Sequence, residues 1–281
     1  MEIESSMYFT VRYECGGRLG NCVFPYALCM LYQIFYGYKY TNAPQPNEIQ
    51  INDTVFLQYF SKEALLKGEL PCPPSNLCIS GYFQHDYILK PFLERFQKFI
   101  LENPKQIIHT GCKEQIPCEI LIKDYLPTVH LSPKTVVVHL RMEDKIADVI
   151  EPNSALFVIH PDAYENVLKQ IEYDTIIWVM NSPKQDIEYK YLAYLQQKYG
   201  GQYKEQTLEE DVTLMRKAPT LVCSRSSLSW ICSAFAYDDQ EVYMPERYET
   251  WQHETFHSIH PNTKYYSYQK ASRKDLESLF T

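Results

Sequence analysis

The residues able to do chemistry gather in three short stretches. Gly16-Gly17-Arg18-Leu19-Gly20-Asn21 places three of the 9 glycines of a 281-residue chain within five positions, directly before a long apolar run. Glycines permit close backbone approach, and the amides of a following helix attract an anion. A tight turn with Asn21 as helix cap explains the same residues, and the stretch has neither the dinucleotide-binding spacing nor the Gly-Lys-Ser/Thr of a P-loop. The second stretch is His139-Leu140-Arg141-Met142-Glu143-Asp144-Lys145. The planar fork of Arg141 suits a diphosphate, and Asp144 can hold it in place; charges also collect at strand ends because chains surface there. The third is Cys223 to Ala236, where Ser224, Ser226, Ser227 and Ser229 crowd a helix start. Hydroxyls and amides can jointly hold phosphate there, although capping needs only one of the serines.

Each stretch must be positioned by the elements around it. Met7 to Tyr13 reads as a strand and Asn21 to Tyr36 as a mostly apolar helix, with Pro25 at its first turn. A helix is predicted near Phe56 to Lys67, and CISGYFQHDY reads as a short strand leading into a helix from Tyr87 to Leu101. After a polar, proline-dotted segment the pattern becomes regular. TVVVHLR and TIIWVM are continuous apolar runs of buried-strand type, followed by PTLVC and EVYMP. Helices are predicted after Pro161, over Gln185 to Lys198, after Thr207, and over Ser227 to Ala236. Strands alternating with helices predict a parallel α/β sheet, in which ligands bind outside the carboxyl ends of the strands. The expected domains are 1–125 and 126–281. Three basic or hydroxyl-rich loops on such a scaffold point to a nucleotide-diphosphate ligand.

Composition bounds the alternatives. A hydrophobic content of 45% supplies a real core, and a net charge of -8 argues against nucleic acid as a partner, because such proteins present a basic face. Nine cysteines, an odd number without repeated CxxC pairs, read as reduced thiols. The first residues carry acids and no apolar h-region, and no stretch approaches the roughly 20 apolar residues of a membrane span. The expectation is a soluble, cytoplasmic protein. The 24 tyrosines suit surfaces that stack on sugars, and equally suit half-buried strands.

Gly17-Arg18-Leu19-Gly20-Asn21 followed by Phe24 and Tyr26-Ala27 resembles the opening motif of the α1,2-fucosyltransferase family. Gly81-Tyr82-Phe83-Gln84 with Tyr87 resembles that family's Gly-Tyr-Phe-Gln segment. His139-Leu140-Arg141 with Asp144 is similar to the His-x-Arg-Arg-x-Asp donor motif shared with α1,6- and peptide-O-fucosyltransferases. Asp211-Val212-x-Leu214-Met215, and Ser224-x-Ser226-Ser227-x-Ser229-Trp230, are similar to the family's two late motifs, and Phe157-x-x-His160-Pro161 with Tyr164 resembles a segment of the α1,6 enzymes. The motifs stand in family order from Tyr13 to Ala236.

The resemblance implies a GT-B type α/β fold of two Rossmann-like domains with the donor site in the cleft. It implies an inverting, metal-independent glycosyltransferase without a cofactor, moving fucose from GDP-fucose to a glycan hydroxyl. Gly17, Arg18, Gly20, Asn21, His139, Arg141, Asp144, Ser224, Ser226, Ser227 and Ser229 would bind the donor. Tyr82 and Gln84 would face the acceptor. Arg141 would stabilise the departing diphosphate, Asn21 would lie near the reacting centre, and Asp148 would be the general base, with Glu143 and Asp144 as rivals. The chain departs from the pattern at Met142, where the family has a second Arg, at Glu143, where it has Gly, and at Cys22, where it has Gln. These departures leave a UDP- or GDP-linked pentose such as xylose as an alternative donor.

Two other classes compete. His253-Glu254-Thr255-Phe256-His257 matches His-Glu-x-x-His, a zinc protease pattern, with His260 as a third ligand. A glycan-binding protein that kept the fold and lost the chemistry is the other. Intact His139, Arg141 and Asp144 argue against it, since a lectin needs no diphosphate clamp.

Overall fold

The computed structural model describes residues 9–52, 55, 61–70, 74–81, 83, 86–126, 130–148, 157–246 and 257–280. The chain forms two compact units, Met1–Ile122 with Thr255–His257, and Lys123–Glu254 with Ser258–Thr281. Tyr82, Gln84, His253 and Glu254 lie outside the described residues, as do residues 56–60 at the start of the helix expected over Phe56 to Lys67.

The first unit runs β1 (Thr10–Glu14), α1 (Leu19–Tyr36), β2 (Lys39–Tyr40), β3 (Ile49–Asn52), α2 (Lys62–Leu66), β4 (Leu77–Ser80), α3 (Asp86–Leu89) and α4 (Leu93–Glu102), then the hairpin β5 (Ile107–His109) and β6 (Gln115–Pro117). Among the described residues, four parallel strands stand in the order β2-β1-β4-β3. Helix α1 is central, with every residue from Cys22 to Tyr32 buried. It starts two residues before the expected Asn21. Arg18 is its N-cap without a side-chain bond, because starting there buries Leu19 against the core. Pro25 is therefore the seventh helical residue and lies inside the helix. Having no N–H, Pro25 cannot donate the usual helical hydrogen bond four residues back, an interior penalty offset by the apolar burial of the helix. The single helix expected over Tyr87 to Leu101 breaks into two for the same reason, with Pro91 inside a 3-10 turn at Lys90–Phe92.

The second unit contains β7 (Thr135–His139), β8 (Val158–Ile159), α5 (Ala163–Leu168), β9 (Thr175–Val179), α6 (Asp186–Tyr199), β10 (Gln202–Tyr203), α7 (Leu208–Lys217), β11 (Thr220–Val222), α8 (Ser227–Ala234), β12 (Glu241–Pro245), β13 (Thr263–Tyr266), β14 (Lys270–Ala271) and α9 (Arg273–Leu279). Among the described residues the main sheet has six parallel strands in the order β10-β9-β7-β11-β12-β13. All five residues of β7 are buried, as a strand covered on both faces requires. The chain leaves β7 toward β9 and β10, then returns to β7's other side as β11. The switch point of the sheet is therefore between β7 and β11, and in open α/β sheets the crevice above such a point is where ligands bind. Among the described residues, no helix is long and apolar enough to cross a membrane.

Candidate active site

His139, the last residue of β7, and Ser224, two residues beyond β11, meet across the switch point, with Nδ1 2.8 Å from Ser224 Oγ in a buried hydrogen bond. Burial, reinforced by the charge of Arg141, pushes the imidazole down to about 3, so the ring is neutral near pH 7. It ties the exit of β11 to the exit of β7. Tyr266 on β13 adds a second tie, its hydroxyl donating to the carbonyl of Cys223 at 2.6 Å.

Two residues on, Arg141 Nη2 donates to Asp144 Oδ1 at 2.6 Å, and Lys145 Nζ lies 3.9 Å from Asp144 Oδ2. The guanidinium is held by one carboxylate while its side chain keeps 21% exposure, which leaves donors for a ligand. A crevice lined by His139, Leu140, Arg141, Met142, Glu143, Met180, Asn181 and Leu228 marks the spot. A larger open cavity of about 460 Å³ lies elsewhere in this unit, lined by His160, Gln269, Lys270, Asp275, Ser278 and Leu279. The strand-end crevice is the better candidate, because there a switch point, an arginine and a helix start converge.

The serines divide their work. Ser226 is the N-cap of α8, its Oγ accepting from the Leu228 N–H at 3.2 Å. Ser229 is fully buried and donates back to the carbonyls of Ser224 and Ser226. The hydroxyls of Ser224, Ser226 and Ser229 thus serve the protein's own frame, and the backbone amides and dipole at this end of α8 can attract an anion.

Glu143 has φ 40°, in the left-handed region that disfavours a side chain. A glycine at this position would adopt it freely. Here Glu143 is held by its own bonds: Oε2 accepts from Asn181 Nδ2 at 2.8 Å, Oε1 from Lys184 Nζ at 3.0 Å, and its N–H donates to Glu188 Oε1 at 2.9 Å. Glu188, fully buried, also accepts from the N–H groups of Lys184 at 2.7 Å and Gln185 at 2.8 Å. This carboxylate pins the β7 exit loop to the start of α6. The Gln185-x-x-Glu188 capping box was the sequence signal for it. Asp148 stands apart from the crevice residues. Its carboxylate, 84% exposed, meets Arg273 Nε at 3.0 Å on α9, so of the carboxylates considered as base it is Glu143 that lines the crevice.

In the first unit, Gly16, Gly17 and Gly20 all have ordinary backbone angles, so left-handed geometry does not explain them. A close approach explains Gly17, whereas a Cβ at Gly16 would meet nothing within 4 Å. Tyr13 OH accepts from the His109 N–H at 2.6 Å, anchoring the hairpin, and Gly111 at its turn donates its N–H to the Gly17 carbonyl at 2.8 Å. A Cβ on Gly111 would lie 2.3 Å from the carbonyl carbon of Gly16. Asn21 sits in the first turn of α1, its side chain packed on Gly17 so closely that a Cβ there would meet it at 2.6 Å. Arg18 is exposed and Gly20 buried. Gly111→Ala is expected to cost about 2 kcal/mol, because backbone must move to admit the methyl group; a urea melt superimposable on the wild-type curve would refute the close approach. Next to the other sheet strand, Gly81 (φ 132°) donates its N–H to the Glu14 carbonyl at 3.3 Å, and Phe83, wholly buried, is held at φ 48°. Two of the motif segments thus store local strain, a trait of sites that position ligands.

His260, considered as a zinc ligand, has both ring nitrogens engaged, Nε2 3.0 Å from the Tyr237 carbonyl and Nδ1 accepting from the Asn262 N–H at 3.3 Å. It organises the turn before β13. Among the described residues, no three His, Cys, Asp or Glu side chains come together to hold a metal.

The pH dependence carries a sign that can be checked. The unfolded imidazole of His139 takes up a proton below 6.5 and the folded one only near 3, so its contribution is whole above 6.5 and is lost as pH falls. The loss is about 2 kcal/mol by pH 5. Asp211 on α7 works in the opposite direction. Burial, then Glu210, raise it from 3.8 to about 7, so its contribution is lost as pH rises through that window. The two offset each other in the wild type. Comparing His139→Gln with wild type separates them: the wild-type advantage should shrink by about 2 kcal/mol between pH 7.5 and pH 5, and a constant difference would mean that the ring is not held neutral.

The strand orders define an α/β protein with a parallel, Rossmann-like sheet in each of its two units. No protein-family model matches the chain, and no curated protein matches it. Among solved structures it is similar to a mutant of Arabidopsis thaliana FUT1 in complex with GDP, with 9% identity over 86% of this chain and 71% of that one and a TM-score of 0.45.

Proposed function

We propose that the chain is a glycosyltransferase that uses a nucleotide-diphosphate sugar. One observation carries the reading. Arg141, fixed by Asp144, emerges at the switch point of the six-stranded sheet beside a helix start that the His139–Ser224 bond ties to the same strand end. A guanidinium and oriented amides at such a point are complementary to the charge that builds on a departing diphosphate, and they do electrostatically what a metal ion does in other enzymes. The second unit, taken as 126–281, would bind the donor, and the first, 1–125, would supply the acceptor side, with Asn21 of the glycine loop near the reacting centre and Tyr82 and Gln84 toward the acceptor. The motif order Tyr13 to Ala236 favours fucose from GDP-fucose, transferred with inversion.

Glu143 is the carboxylate best placed to take the acceptor proton, since it lines the crevice on a fixed backbone. The test is calorimetric titration with GDP and UDP, followed by measurement of sugar release from GDP-fucose and UDP-xylose with and without glycan acceptors. Binding of GDP alone with transfer from GDP-fucose supports the reading in full. UDP binding alone replaces the donor, and binding of neither nucleotide sinks the proposal. Glu143→Gln should lower kcat by about 100-fold with little change in KM, the pattern of a lost base; an unchanged kcat removes Glu143 from the mechanism.

A further inference from the structure

In the first unit, two thiols meet at the glycine loop. Cys15 follows β1 directly, and Cys22 lies in the first turn of α1, its N–H donating to the Arg18 carbonyl at 3.1 Å. Both are reduced. Gly17 stands between them and touches both sulfurs: its N–H donates to Cys15 Sγ at 3.4 Å, and its carbonyl accepts from Cys22 Sγ at 3.2 Å. The thiols also hydrogen-bond with one another. That bond, and burial after it, push the ionisation of Cys22 upward from the usual thiol range.

The two sulfurs differ in access. Cys15 is partly exposed and Cys22 is wholly buried, so a dissolved oxidant meets Cys15 first. The backbone between them has room to adjust at Gly16, where an added Cβ would meet nothing. A disulfide demands particular Cβ separations and torsions, and slack in the intervening loop lets the pair reach them. The Gly17 carbonyl also accepts the Gly111 N–H at 2.8 Å, so the sulfurs abut the contact between loop and hairpin. The turn of that hairpin carries Cys112, an exposed thiol and the natural competitor.

We infer that Cys15 and Cys22 are a redox-active pair, a modification site at which a small disulfide such as oxidised glutathione converts the two thiols to a disulfide joining the exit of β1 to the first turn of α1. Cys15 gives its proton to solvent and its thiolate attacks one sulfur of the oxidant; that S–S bond breaks, and one glutathione thiolate leaves and takes up a proton. Capping Cys15 ends its hydrogen bond with Cys22, the largest brake on Cys22 ionisation. Cys22 then loses its proton to solvent and attacks the Cys15 sulfur, forming the protein disulfide and expelling the second glutathione, which is protonated in turn. Two protein thiols are oxidised, and one small disulfide is reduced to two thiols. None of this chemistry depends on the nucleotide-sugar reading.

The test is equilibration of the intact chain with reduced and oxidised glutathione, followed by acid quenching, alkylation and tryptic mass mapping. Cleavage after Arg12, Arg18 and Lys39 puts Cys15 and Cys22 in separate peptides, so their disulfide appears as a linked pair. Cys29 shares the second peptide, and fragmentation of the pair assigns the sulfur. The expected wild-type product is the Cys15–Cys22 link, reversed by dithiothreitol. In Cys22→Ser, which lacks the resolving thiol, the glutathione adduct on Cys15 should accumulate at least about fivefold over wild type. Thermal melts of the variant confirm its fold, and should it fail to fold, the wild-type map decides alone. A map in which Cys15 is joined to Cys112, or in which Cys112 carries glutathione while Cys15 and Cys22 are both alkylated, overturns the inference.

Discussion

Replacing Arg141 with alanine is expected to weaken GDP binding by about 100-fold, and to lower kcat/KM at least as much. The guanidinium is the member of the switch-point cluster that is both anchored, through Asp144, and partly exposed to a ligand. Charge-assisted bonds of this kind contribute up to about 3 kcal/mol each, and a bidentate pair fixes geometry as well. Arg141→Lys should recover only part of the loss, since an ammonium lacks the planar fork. Asp144→Ala should cost less, about tenfold, because it frees the side chain without removing it. Titration calorimetry reads all three, and a loss below about threefold for Arg141→Ala would move the anion site off β7.

The largest effect on stability is expected at Glu188. Truncation to alanine leaves the N–H groups of Glu143, Lys184 and Gln185 without their acceptor in a place closed to solvent. At about 1–3 kcal/mol for each orphaned group, partly relieved by entering water, a cost of about 4 kcal/mol follows. Glu188→Gln, which keeps one carbonyl oxygen and turns an NH₂ toward donors, should cost roughly half of that. Urea denaturation gives the figures. The variant has a functional signature too: with the exit loop of β7 released, KM for the donor should rise more than kcat falls. A destabilisation under 1 kcal/mol would show that the loop holds its left-handed turn at Glu143 by other means.

The second unit was largely legible in the sequence because its strands are continuous β-branched runs. Val136, Val137 and Val138 can be buried only inside a sheet covered on both faces, and Thr207 and Ser226 mark helix starts by their own hydrogen bonds. The later elements, β13, β14 and α9, escaped notice because Thr263–Tyr266 is largely solvent-facing and polar, with no apolar period to read. In the first unit the Gly-Asn pair imitates a cap, yet the start of α1 was decided by burial of Leu19, a tertiary effect that local pattern does not carry. The site divides likewise. His139 and Arg141 stood out as polar residues emerging from an apolar strand. Glu188 and Tyr266 act through partners 45 and 43 residues away, and only the fold brings those partners together.

The contact between the glycine loop and its hairpin also bears on how the first unit comes to be folded. Tyr13 and His109 are 96 positions apart, and Gly17 and Gly111 nearly as far. Closing so long a loop carries an entropic cost that local helix formation does not. During synthesis, β1 and α1 emerge from the ribosome well before Gly111 exists to shape the turn between them. The loop is therefore a late-setting joint, whose geometry reports completion of the whole unit and not merely of its first strand and helix.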